Sequence, residues 1–150
     1  MIPLAKKATP AAIAVLRQAT ALCPKRKKAS DGLLPSKAHQ KQNPNSDHNS
    51  GYGVDLTHDP DNGIDCFDIY ERIKADKRVK YVIFHGKIWS AVNGETRYEG
   101  INQHNHHLHI SIKDCCGNDT SPWFPWLGEI KTIAKVKAKF PKPLPKKEIK

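Results

Sequence analysis

Residues His107 to Ile112 alternate without a break: Leu108, Ile110 and Ile112 fall on one side of an extended chain, and His107, His109 and Ser111 on the other. Such a segment folds as a strand with one face in a core. It leaves two imidazoles, two residues apart, on a face the core does not need. Tyr52 to Thr57 follows the same rule, with Tyr52, Val54 and Leu56 on one side and Gly53, Asp55 and Thr57 on the other. Val79 to Phe84 is almost continuously apolar, as expected of a central strand buried on both faces. His85-Gly86-Lys87 turns it into a partner strand from Ile88 to Val92, and Asn93-Gly94 marks another turn.

Helices are expected at two places. Thr9 caps the first, Pro10 takes its first position, and Ile13, Leu16 and Cys23 point inward. Asp65 caps the second, whose inward residues are Ile69 and Ile73 and which ends near Asp76. Between them, Pro24 to Asn49 is polar, rich in lysine and broken by Gly32, Pro35 and Pro44, too irregular for regular structure. Strands mixed with two helices give an α+β fold, a small, mostly antiparallel sheet with flanking helices. A chain of 150 residues supports one domain, expected over 1–128, with its N-terminal helix at about 10–23 and its core at about 46–112. Residues 129–150 read as a basic Lys/Pro-rich tail, since seven lysines between Lys135 and Lys150 interleave with Pro141, Pro143 and Pro145.

The net charge of +10 draws the surface toward polyanions without choosing among nucleic acid, teichoic acid and anionic lipid. Cys23, Cys66, Cys115 and Cys116 form no repeated Cys-x-x-Cys pattern and read as reduced structural thiols. Adjacent residues on a strand point to opposite faces, which disfavours a soft-metal site at Cys115-Cys116. Lys6 and Lys7 before an alanine-rich run imitate a secretion signal, but Arg17 interrupts the apolar stretch. Synthesis in the cytoplasm without an export signal is the expectation. No run approaches the ~18 apolar residues of a transmembrane helix. Asp59-Pro60-Asp61-Asn62-Gly63 is a turn and not a calcium-binding EF-hand, because the glycine falls one position early and no glutamate closes the loop.

Five of the eight histidines, His48, His104, His106, His107 and His109, lie in two polar segments. A catalytic zinc site takes three protein ligands and leaves a position to water, and imidazole is the commonest of those ligands. His48 and Asp55 form a candidate pair joined by the turn Asn49-Ser50-Gly51, and His109 supplies a third ligand. His107, roughly 6–7 Å further along the same face, is placed to reach the water and not the ion. Gly53, sharing the face of Asp55, leaves room for a substrate backbone or the ion. Singly, His48 reads more simply as a capping residue and Asp55 as the partner of a backbone donor or a lysine. Together with a His-x-His strand on a polar face, the metal reading is preferred. His39 and His58 read as surface or supporting groups, and Trp123-Phe124-Pro125-Trp126-Leu127 as core packing.

Ser46-Asp47-His48-Asn49-Ser50-Gly51-Tyr52-Gly53-Val54-Asp55 resembles the Ser-x-His-x-x-Gly-x-x-x-Asp block of the LAS-type zinc metallopeptidases, and His107-Leu108-His109 resembles their closing His-x-His. That superfamily includes D-Ala-D-Ala peptidases, phage endolysins, a murein endopeptidase and, distantly, the hedgehog signalling domain. The resemblance spans about residues 46 to 111. It implies a LAS/hedgehog-like core, Zn2+ held by His48, Asp55 and His109, and His107 and His104 acting on the water and the tetrahedral intermediate. His104 lies five residues before the last ligand, as in the murein endopeptidase branch. The chain departs from the carboxypeptidase branch, whose acidic base three residues before the last ligand is here His106. Further stretches, among them Ser30-Asp31-Gly32 and Arg78-Val79-Lys80-Tyr81-Val82-Ile83, look like small uncharacterised proteins of phages and actinobacteria.

The implied activity is hydrolysis of an amide bond in the stem peptide or cross-link of peptidoglycan by a monomer. Peptidoglycan and anionic wall polymers are the expected partners, and no nucleic acid is expected. A phage or prophage product released to the wall would need no export signal of its own. The alternatives are a metal-dependent nuclease, motivated by the basic charge and Asn105-His106-His107, and a non-catalytic zinc-containing domain that binds the wall.

Overall fold

The computed structural model describes residues 7–35, 45–100 and 102–127. The expected tail at 129–150, His39 and Pro44 lie outside these. The first helix, α1, runs Pro10–Leu22, and Thr9 Oγ1 accepts from Ala12 N at 3.3 Å to cap it. Its buried face is Ala11, Ala12, Ala14, Val15 and Ala19, continued by Cys23. Ile13 and Leu16, expected to point inward, are only half-buried. Bulky residues drew the sequence expectation, but the small ones let the helix approach Trp123, whose indole N–H donates to Ala11 O at 3.0 Å. The second helix, α2, runs Cys66–Ile73, capped by the Asp65 carboxylate on Phe67 N, and buries Ile69 and Ile73 as expected, with Cys66 and Tyr70 beside them.

The strands are β1 (Gly53–Thr57), β2 (Val79–Phe84), β3 (Lys87–Ser90), β4 (Gly94–Arg97) and β5 (His107–Ile112). Among the described residues they form one antiparallel sheet in the order β1-β5-β2-β3-β4, so the fold is α+β. The β2–β3 hairpin turns through His85 and Gly86 at φ 50° and 78°, the left-handed pair that a two-residue loop requires. The partner strand ends at Ser90 and not at Val92, which is 90 % exposed in the turn that Gly94 completes at φ 69°. The sequence reading missed β4: a four-residue polar edge, Gly-Glu-Thr-Arg, carries no alternation to see.

Val54, Leu56, Val82, Phe84, Leu108, Ile110 and Ile112 pack with α1, α2, Trp123 and Phe124 into the core. Trp123 and Phe124 are buried and Trp126 and Leu127 pack against them, as a core role for this segment requires. No helix among the described residues is long and apolar enough to cross a membrane. Cys115 and Cys116 stand in a 3-10 turn, Asp114–Cys116, not on a strand, and no disulfide joins any of the four cysteines.

The opposite face of the sheet is set by register. Asp55 lies across from His109 and His109 across from Ile83, while Gly53, Ser111 and Tyr81 form the next row and Thr57 pairs with His107. Lys80 sits in a bulge between Val79 and Tyr81, where the β2–β5 register shifts. The sequence reading left this face open. It is covered near β1 and β5, where Thr57, His109 and Ser111 are buried.

Candidate metal centre

The cover is built by two segments that precede β1 in the chain. In the first, Gly32 exchanges both backbone hydrogen bonds with Asp55, at 2.8 and 3.1 Å, and so extends the sheet beyond β1. Asp31 holds it there, accepting from Thr57 N and Thr57 Oγ1 and from the buried Arg26 guanidinium. The stretch expected to lack regular structure therefore contributes a bridge that fixes the backbone of Asp55.

The second segment is the turn at 46–51, closed by Asn49 N to Ser46 O and Gly51 N to His48 O, with Asp47 O accepting from both Tyr52 and Gly53. Gly51 adopts φ +83°, and a Cβ there would meet Lys7 O at 2.8 Å. The turn folds His48 back over β1. A Cβ on Gly53 would lie 2.8 Å from His48 N and 3.2 Å from His109 Cε1. The space expected for a substrate or an ion is thus occupied by the protein's own turn and imidazole.

Three atoms converge as a result. His48 Nε2 and His109 Nδ1 each stand 3.1 Å from Asp55 Oδ1, and 3.2 Å from one another. The buried or nearly buried group His48, Asp55 and His109 can hold a metal ion. A tetrahedral site with bonds of about 2.0–2.1 Å places its ligands roughly 3.3–3.4 Å apart, so the three need to open by only a few tenths of an ångström. The other nitrogen of each ring is also engaged. His48 Nδ1 donates to Leu33 O at 2.6 Å and His109 Nε2 to Ser111 Oγ at 2.7 Å. With those protons assigned, both lone pairs face the centre, the tautomers that ligation needs.

Lone pairs that face one another in a buried site call for a proton or a cation between them. Without a metal, burial disfavours the charged form of His48, but the hydrogen bond and charge of Asp55 outweigh it and raise its pKa. Burial likewise pushes Asp55 up, but hydrogen bonds from His109 and His48 prevail and hold its carboxyl far below the usual range. The two shifts have opposite pH signatures. Stability from Asp55 is present above its unfolded value of 3.8 and lost as pH falls through the lower folded one. Stability from His48 is complete below 6.5 and lost as pH rises through the higher folded value. In chelator the protein is expected to be most stable between those limits, read as urea midpoints across a pH series. A midpoint that did not decline above neutrality would contradict the His48–Asp55 pairing.

Two more imidazoles stand beside the three. His107 Nε2 is 3.6 Å from Asp55 Oδ2, a charge contact beyond hydrogen-bond reach. His104 lies with its ring 4.9 Å from that of His107 and 5.9 Å from that of His109. Its backbone is at φ 58°, held by His85 N on His104 O and by Asn102 Oδ1 on His104 N, a strained placement that the loop imposes. Burial, then the charges of His109 and His107, push His104 down to about 4. Burial also lowers His107, against the pull of Asp55.

The remaining histidines stand apart. His106 is exposed. His58 is neither surface nor support for the site: its Nδ1 accepts from Cys66 N at 3.0 Å, at the start of α2, and its ring packs on Phe67 and Phe84. The sequence reading missed Leu33 O, Ser111 and Tyr81, whose ring stacks on His109 at 5.5 Å and 26°. A signal existed for Ser111 alone, which shares the polar side of β5 with His109. Comparisons with protein-family models, with curated proteins and with solved structures found no match.

Proposed function

We propose that this chain is a zinc-dependent peptidase that hydrolyses an amide bond in the stem peptide or cross-link of bacterial peptidoglycan. The observation that carries the reading is the triangle of His48 Nε2, Asp55 Oδ1 and His109 Nδ1, with His104 and His107 beside it but outside it. Two imidazoles and one carboxylate, with a position left over, form the donor set of a catalytic zinc site and not of a closed structural one. Bound there, zinc would supply a Lewis acid for the scissile carbonyl and a water acidified to a pKa of about 7.

The chain's own residues do the rest. His48 and His109 are held rigid through Leu33 O and Ser111, so they present lone pairs without reorganisation. His107, on the Oδ2 side of Asp55, takes the proton from the attacking water. His104 has its Nδ1 proton tied to Asn102 O at 2.7 Å, which leaves its Nε2 as an acceptor beside the site, and the proton taken up by His107 is the one handed on to the leaving amine. Peptidoglycan as substrate is supported by the likeness of residues 46–55 and 107–109 to the LAS-type blocks. The charge of +10 adds an attraction for anionic wall polymers.

The test is digestion of purified sacculi by zinc-loaded protein, with fragments identified by mass. New amino and carboxyl termini at one type of peptide bond are expected, lost on chelation and restored by zinc. Cleavage of plasmid DNA with sacculi left intact would overturn the reading in favour of a nuclease.

A further inference from the structure

Ser30-Asp31-Gly32 supplies no ligand, yet the segment 31–33 meets two of the three. Gly32 exchanges both backbone hydrogen bonds with Asp55, and Leu33 O accepts His48 Nδ1 at 2.6 Å. Residues paired in this way carry their side chains on one face, so the side-chain position of Gly32 adjoins the Asp55 carboxylate. A Cβ there would stand 3.2 Å from Asp55 Oδ2, the oxygen that faces His107 Nε2 at 3.6 Å. Gly32 has no positive φ, so it supplies space beside the carboxylate and not backbone freedom.

The segment is anchored at Asp31. Its Oδ1 accepts from Arg26 Nη1 at 3.0 Å, Thr57 N at 3.1 Å and Thr57 Oγ1 at 2.7 Å, and its Oδ2 from Arg26 Nη2 at 2.7 Å. Four bonds fill the capacity of a carboxylate. Arg26 is 5 % exposed and is itself held by α1, with Nε on Thr20 Oγ1 and Nη2 on Leu16 O. Ser30 N, donating to Thr57 Oγ1, closes the same knot. Helix, segment and β1 are joined at Asp31, one residue from Gly32 and two from Leu33.

We infer that Asp31, clamped by Arg26, is a positioning residue of the metal centre: through Gly32 and Leu33 it sets the Asp55 carboxylate and the His48 ring as one unit. This rests on the metal reading above. An acceptor on the far nitrogen of a ligand histidine fixes its tautomer and direction, and such outer partners govern metal affinity. Here one short segment does so for the imidazole and also shapes the space around the carboxylate.

The experiment compares Asp31→Asn and Gly32→Ala with Arg78→Lys, a change at a buried side chain that bonds neither this segment nor a ligand. Whichever way the new amide of Asp31→Asn turns, its N–H groups face donors of Arg26 or Thr57. Zinc affinity per folded protein is read by competition with a chelating dye. The His48 tautomer is read by 15N NMR in metal-free protein, at a pH that keeps the ring neutral. Asp31→Asn and Gly32→Ala are each expected to lose roughly 10- to 100-fold in zinc affinity, the usual range for outer partners, while Arg78→Lys keeps the wild-type value. His48 should carry its proton on Nδ1 in the wild type and in Gly32→Ala, and become a mixture in Asp31→Asn. Wild-type affinity in Asp31→Asn overturns the inference; should that variant not fold, wild-type affinity in Gly32→Ala does so. An equal loss in Arg78→Lys overturns it too, because loosening of the fold then explains the effect. A wild-type protein that takes up no zinc overturns the metal reading itself, so the two failures are distinguishable.

Discussion

Exchange of His109 for alanine is expected to take the protein from about one bound zinc to none, with hydrolysis of sacculi lost in step. His109 closes the triangle, and its removal leaves His48 and Asp55 as a two-donor site. The imidazole also fills buried space between Tyr81 and the turn at 46–51, so a second variant separates fold from ligation. Asp55→Asn keeps the shape and removes the charge. It should lose more than the roughly 10- to 100-fold typical of outer partners while retaining its circular dichroism. Thermal shifts give the same answer from another side. Zinc at a hundred times its Kd stabilises the native state by about 2.7 kcal/mol, and either variant should show none of this. Uptake of zinc by His109→Ala with wild-type affinity would remove the assignment.

The second large effect lies outside the candidate metal centre. Arg78 is almost wholly buried and satisfies every part of its fork: Nε and Nη2 on Asp76, Nη1 on the carbonyls of Asp119 and Ser121, Nη2 also on Pro122 O. Its guanidinium lies 3.5 Å from the centre of the Trp123 ring. One side chain thus ties the start of β2 to the segment that brings Trp123 and Phe124 into the core. Alanine there strands the Asp76 carboxylate and three carbonyls together, at a cost of about 3–5 kcal/mol. For a chain of this size the melting temperature should fall by roughly 6–20 °C, measured by calorimetry. Arg78→Lys should recover little, since a single ammonium cannot reach four acceptors in a plane. A shift of only a degree or two in Arg78→Ala would show that the 119–122 segment is held by other contacts.

The elements with a period were legible in the sequence. The β5 bounds, the β2–β3 turn and the caps of both helices follow from alternation and from Thr9, Asp65 and His85-Gly86, and the observed elements agree. His48, Asp55 and His109 were chosen on residue type and spacing, and they meet in space because β1 and β5 pair with Asp55 opposite His109. The rest depended on contacts between distant parts of the chain. Gly32 joins the sheet by backbone bonds that any residue can make, so no side chain announces it. Gly53 marked a close approach correctly but not the approaching group. The bulge at Lys80 and the pairing of Ser111 with Tyr81 come from register between strands, which periodicity within one strand does not encode.

The place of β5 has a consequence for how the protein matures. β5 lies between β1 and β2, although both precede it in the chain, so the sheet cannot close until residues 107–112 have emerged and slid into the gap. His48 and Asp55 are made early and wait more than fifty residues for the last donor. A nascent chain therefore lacks the three-donor group, and insertion of the final strand both completes the hydrophobic layer and brings the donor atoms together.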